Sequence, residues 1–192
     1  MKPHPSLALA SVLLVTAPLA LSAQERAARS GPSLKFGKFG KVTAVVQSSF
    51  LTPLLLHLIG SIRVTSEQYD LTAGDVKIYF PPKKGRSAGQ PPLDRATADG
   101  GPGGQVDVHV RRPLESESYE ILADHAVYVP DKAKPDYARM DFTGHVTVAG
   151  RSGFLVGPGV MTTDRAALLL GPGDDYPQLS TGPAHVTATP AE

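Results

Sequence analysis

The chain has 192 residues, enough for one domain with its own core and too few for two ordinary ones. It contains no cysteine, which excludes a disulfide framework and lipoprotein attachment through a cysteine thiol. Its 19 Lys and Arg against 18 Asp and Glu leave a nearly neutral chain, with no electrostatic footprint for nucleic acid.

Lys2 precedes an apolar run, LALASVLLVTAPLAL, from Leu7 to Leu21, which ends in Ser22-Ala23-Gln24. A basic start, a greasy stretch and a small residue before a polar one describe a secretory signal peptide, residues 1–23, cut after Ala23. The run is short for a membrane span of about 20 residues. Left uncut, it would be an inner-membrane anchor instead. Cleavage removes Lys2 and no acid, so 18 basic residues would balance 18 acidic ones. Export to the periplasm is the expected localisation. Residues 24–33 read as a flexible leader, and 34–192 as a single domain.

From Leu34, KFGKFGKVTAVV mixes β-branched residues with glycine and offers no helix cap, so it reads as strand. FLTPLLLHLIG, 50–60, is interrupted by Pro53 and suits either a buried strand or a short helix. SIRVTSEQYDLTAGDVKIYF, 61–80, predicts two short strands around a turn near Thr72–Asp75. Residues 81–104 are dominated by proline and glycine and predict a loop, whose DRATADG portion can extend as a strand. QVDVHVRR, SYEILADHAVYV, YARMDFTGHVTV, FLVGPGVMTTDRAALLL and PQLSTGPAHVTATP follow, each short and closed by Gly, Pro or Asp. Strands at this spacing indicate an all-β sandwich, barrel or open roll.

The strands repeat. GSIRV (60–64), GQVDV (104–108) and TGHVTV (143–148) place a glycine before alternating apolar residues, with Gly60, Gly104 and Gly144 44 and 40 residues apart. A weaker copy begins at Gly182. Such a period suggests a stacked strand-turn-strand unit. Ile62, Val64, Val106, Val108, Val110, Val146 and Val148 share one parity in their strands. They form either an ordinary sandwich core or the lining of a roll open enough to accept something greasy.

Candidate chemistry is sparse. GRSG, 150–153, lacks the context of a nucleophile elbow and reads as a hairpin turn. GGPGG (100–104) and GPGDD (171–175) lack the lysine and helix of a phosphate loop. His109, His145 and His185 lie opposite the valines of their strands, and no histidine pair has metal-ligand spacing. Asp174-Asp175 reads as a solvated turn rather than a general acid and base. Neither an enzyme nor a cofactor is expected.

The stretch YEILADHAVYVPDKAKPDYARMDFTGHVTVAG, 119–150, resembles the unit of the OstA-like family of lipopolysaccharide-transport proteins, LptA and the membrane-anchored LptC among them. Ala123, Asp124, Ala126 and Tyr128 match its first half, and Phe142, Gly144, Val146 and Val148 its second. Thr163, Asp164 and Ala166 match the element that follows. The Asn usual after the family's glycine is Ser61, Gln105 or His145 here. The resemblance implies an open, slightly twisted β-jelly roll of repeated antiparallel strands, with an apolar interior that holds acyl chains. It implies lipopolysaccharide or a related amphiphile as ligand, with Ile62, Val64, Val106, Val108, Val110, Val146 and Val148 lining the groove. It also implies partners that carry OstA-like domains and join by edge-strand pairing, head-to-tail self-association included. An LptC-like docking component or a secreted structural module are the other roles such a roll could serve. Burying a methylene is worth about 0.8 kcal/mol, so exposing one long acyl chain to water costs on the order of 10 kcal/mol. A lipid with several chains therefore needs a continuous greasy track.

Overall fold

The alternation of the sequence becomes antiparallel strands in a computed structural model that describes residues 33–52, 54–82, 93–101, 104–111, 118–151 and 158–188. The proposed signal, residues 1–23, lies outside that set, as do all but Ser33 of the leader. The strands are β1 (Leu34–Phe36), β2 (Gly40–Thr52), β3 (Leu55–Thr65), β4 (Tyr69–Tyr79), β5 (Arg95–Asp99) and β6 (Val106–Arg111). Then come β7 (Ser118–Ala123), β8 (His125–Pro130), β9 (Ala138–Arg151), β10 (Pro158–Leu170), β11 (Gln178–Thr181) and β12 (Ala184–Ala188). One 3-10 turn, Gly37–Phe39, joins β1 to β2, and the described residues contain no α-helix. The fold is an all-β roll of antiparallel strands.

The register explains the roll. β4 pairs through Tyr69–Thr72 with β6 and through Asp75–Tyr79 with β5. β9 divides the same way, Ala138–Thr143 pairing with β8 and Thr147–Gly150 with β7. β10 gives Ala166–Leu169 to β11 and Gly159–Thr163 to β12. The ladders slip at one level throughout: between Val46 and Ser48, between Ile59 and Ile62, and between Thr163 and Arg165. At that level the long strands β2, β3, β4, β9 and β10 pass from one layer to the other, a corner of the kind bulges make. The level is the spine of the roll. One layer holds β5, β8, β11 and the adjoining halves of β2, β3, β4, β9 and β10; the second holds β1, β6, β7, β12 and the other halves.

The repeated glycine is the corner residue. Gly144 has φ +74°, and a Cβ on it would stand 2.6 Å from Asp124 Oδ2. Gly60, at φ +145°, would drive a Cβ into the Val45 carbonyl. Only glycine fits both demands at once. Inward residues of the two layers meet in one apolar cluster, and among the described residues no polar or charged residue is buried.

The FLTPLLLHLIG stretch resolves as strand, belonging to the end of β2 and to β3. The turn expected near Thr72–Asp75 is not there. The chain reverses at Ser66–Gln68, where the Ser66 N–H donates to the Tyr69 carbonyl at 2.8 Å, and Thr72–Asp75 runs inside β4. Gly74 looked like a turn glycine because it breaks the alternation. Its backbone instead passes close to Gly100 and Gly101, at the corner of the neighbouring strand. Within 81–104, DRATADG supplies β5, while 83–92 and 102–103 lie outside the described residues, as do 152 and 153, the second half of GRSG, whose first half ends β9.

Candidate functional site

The seven aliphatic residues expected to line a groove come together on the inner face of the second layer, contributed by β3, β6 and β9. Ile62, Val64, Val106, Val108 and Val110 expose nothing to solvent, Val146 exposes 1%, and Val148 exposes 5%. They pack against inward residues of the first layer, Val76, Ile78, Met140 and Phe142 among them. The stripe is continuous, and in this conformation its side chains fill the space between the layers.

Two features at the side opposite the spine decide where the stripe is covered. The first is the FGKFGK segment, Phe36–Lys41, which crosses from one layer to the other. Phe36 meets Phe80 at 5.9 Å between ring centroids, and Phe39 stands edge-on to Tyr128 at 5.0 Å. Both partners belong to the first layer or its tip. On the second-layer side, the Tyr69 hydroxyl donates to the Phe39 carbonyl at 2.7 Å, and Ser66 Oγ donates to the Lys38 carbonyl at 3.3 Å. Burial of Tyr69 drives its own pKa well above the ordinary phenol range, so it remains a donor. Tyr128 is pushed up to about 12 for the same reason. Lys38 Nζ reaches Asp136 Oδ1 at 3.0 Å, and the Gln68 amide donates to the Gly171 carbonyl at 2.9 Å. Together these contacts strap the two layers together.

The second feature lies at the other end. Beyond Val148 the layers part around a cavity of about 510 Å³, lined by Tyr119, Val148, Gly150, Gly159, Val160, Met161, Pro177, Gln178, Leu179 and Val186. Met161 pairs directly with Val186 across β10 and β12, and Leu168 with Leu179 across β10 and β11. Val186, which follows the inward parity of β12, is 54% exposed. This mouth is the solvent-facing end of the valine stripe. Of the seven expected lining residues, Val148 alone reaches it. Sequence reasoning missed Met161, Leu179 and Val186, because three different strands supply them and none belongs to a full copy of the repeat.

Histidines and aspartates line the outside of the spine. His57 Nε2 meets Asp75 Oδ1 at 2.8 Å, His125 Nδ1 meets Asp99 Oδ1 at 2.6 Å, and His145 Nδ1 meets Asp124 Oδ2 at 2.6 Å. Asp75 and Asp99 stand opposite each other in register. Each then has an imidazole beside it, which offsets a like-charge pairing that sheets otherwise avoid. The hydrogen bond from His145, then one from Gln105, hold the Asp124 carboxyl below its ordinary pKa; the bond to Asp124 and its charge raise His145. His145 has φ +43°. Among the described residues, no three His, Asp or Glu side chains gather as a metal site would require.

A structure search finds the periplasmic LptH of Pseudomonas aeruginosa, described as the LptA-homologous component of the conserved lipopolysaccharide transport device. The match covers 80% of this chain and 98% of that one at a TM-score of 0.55 and 10% identity. That likeness establishes the fold: this chain is built as LptA-type proteins are. No family model matches its sequence, and no curated protein does.

Proposed function

We propose that this chain is an exported carrier that binds lipopolysaccharide or a related amphiphile in its apolar interior and passes it toward the outer membrane without catalysis. The observation that carries this reading is the unbroken aliphatic stripe from Ile62 to Val148, which ends in an apolar mouth inside an LptA-like roll. Acyl chains would enter at the mouth and displace the contacts the layers now make with each other. Each methylene transferred from water would offset part of the lost packing, about 0.8 kcal/mol at a time. No residue is assigned a catalytic role and no cofactor is invoked.

Open sheet edges support joining to other OstA-like domains. Beyond Val42, the outer edge of β2 has no partner among the described residues, and β11 and β12 each pair only with β10. Unpaired edges are templates for strand addition, which suits head-to-tail joining to a second copy or to another transport protein. Periplasmic location follows if residues 1–23 are a cleaved signal. Sequencing the mature N-terminus tests that, since an intact Met1 would favour the anchored, LptC-like role.

Parity tests the carrier itself. A photo-reactive residue at Val146 should cross-link to added lipopolysaccharide, and the same residue at the outward-facing neighbour Thr147 should not. Adducts from both positions, or from neither, would overturn the proposal.

A further inference from the structure

We infer that the C-terminal mouth is a headgroup-blind site for one linear hydrocarbon chain. The inference deepens the carrier reading and rests on it for the origin of the cargo.

Charge is the first argument. Among the described residues, none of those lining the mouth is charged, and its only side-chain polar groups are those of Tyr119 and Gln178. A second cavity, about 560 Å³ on the outside of the first layer, gives the contrast: Asp131, Lys134, Arg139 and Asp141 all line it. Among the described residues, a charged headgroup finds no counter-charge in the mouth and only the Tyr119 hydroxyl and the Gln178 amide to hydrogen-bond with, so burying it there would be unfavourable. A chain of methylenes loses nothing by entering.

Size is the second argument. The mouth's 510 Å³ falls within the range of about 300–1,000 Å³ typical of small-ligand sites, which suits a single acyl chain. Continuity is the third. Met161 and Leu179 pack against the core cluster while also lining the mouth, so a chain seated there touches the end of the valine stripe. The head remains outside, in water.

Single-chain amphiphiles below their micelle concentrations test this on the purified protein. A fatty acid, a lysophosphatidylcholine and an alkyl glucoside of equal chain length should bind with affinities within about threefold of one another. Affinity should rise about fourfold per added methylene and level off once the chain outgrows the mouth. Val186→Asp places a carboxylate at an exposed position, so the protein should fold as before and bind at least tenfold more weakly. Val45→Asp, equally exposed on β2 and away from the mouth, should bind normally. Affinity that follows headgroup charge, shows no chain-length dependence or ignores Val186→Asp would sink the inference. So would a mouth that instead seats a second copy, visible as self-association that Val186→Asp abolishes. Lipopolysaccharide separates the two claims. If it binds while every single-chain probe fails, the carrier stands and the one-chain mouth falls; the reverse outcome spares the mouth and removes the carrier.

Discussion

At the amino-terminal end of the roll, Phe36 and Phe39 bridge the tips of the two layers; at the carboxy-terminal end, Met161, Leu179 and Val186 leave a gap between them. Both ends begin from the same alternating strand. They differ in whether a segment outside the repeat crosses the seam. Repetition makes an apolar interior, and what happens at each end decides whether water, or a lipid, can reach it. A roll with two uncovered ends would expose more apolar surface than a monomer ordinarily tolerates. Among the described residues, one strapped end and one open end keep the exposed apolar area small.

Removing the strap should break that difference most severely. Phe39 is 3% exposed and stands edge-on to Tyr128. Phe39→Ala should cost about 3–5 kcal/mol, as large-to-small changes at buried aromatics do. Urea unfolding should show the loss, and amide exchange should quicken in β8 and at Tyr69, the two places that Phe39 touches. Leu179→Ala, at the half-buried mouth, should cost less than half as much. Equal losses at the two ends would remove the distinction between them.

The spine is common to both ends, so damage there should affect them alike. Gly144→Ala adds a Cβ against Asp124 at a backbone conformation unfavourable to alanine, and should destabilise by about 1–3 kcal/mol. His145→Asn should be neutral or mildly stabilising, because asparagine accepts positive φ more readily than histidine. Chemical denaturation of both variants checks the pair of expectations. A stable Gly144→Ala protein would show that the corner does not depend on that glycine.

Much of this architecture was legible in the sequence. Strict alternation at 60–64, 104–110 and 143–148 marked the strands, and its parity marked the residues that face inward. The glycine heading each copy marked a special position, but periodicity cannot say whether a glycine turns the chain back or bends it onward. At Gly74 that ambiguity misplaced a hairpin. KFGKFGKVTAVV read as strand because it mixes β-branched residues with glycine and offers no helix cap. Its bridging role comes from contacts with Phe80 and Tyr128, and Tyr128 is 89 positions from Phe39 along the chain. The mouth was hidden for a related reason. Met161, Leu179 and Val186 are ordinary strand residues, and what distinguishes them is that the opposing layer stops short.

The His145–Asp124 pair should have the smallest effect, and its sign can be worked out. Asp124 titrates lower in the folded protein than unfolded, so its contribution is present above the unfolded value of about 3.9 and is lost as pH falls through the lowered folded value. His145 titrates higher when folded, so its contribution is complete below the unfolded value of about 6.5 and is lost as pH rises through the raised one. Both are present together in mildly acidic solution, where the imidazolium faces the carboxylate. Both groups are exposed, so the gain should be small and should shrink with added salt. Proton NMR of the His145 ring should show a midpoint above that of an unfolded-peptide histidine, returning toward it in Asp124→Asn. Comparing the unfolding midpoints of Asp124→Asn and the parent protein across the same pH range should give a gap widest in mild acid. A gap of constant width would mean that Asp124 holds the Gly144 corner by shape and hydrogen bonding rather than by charge.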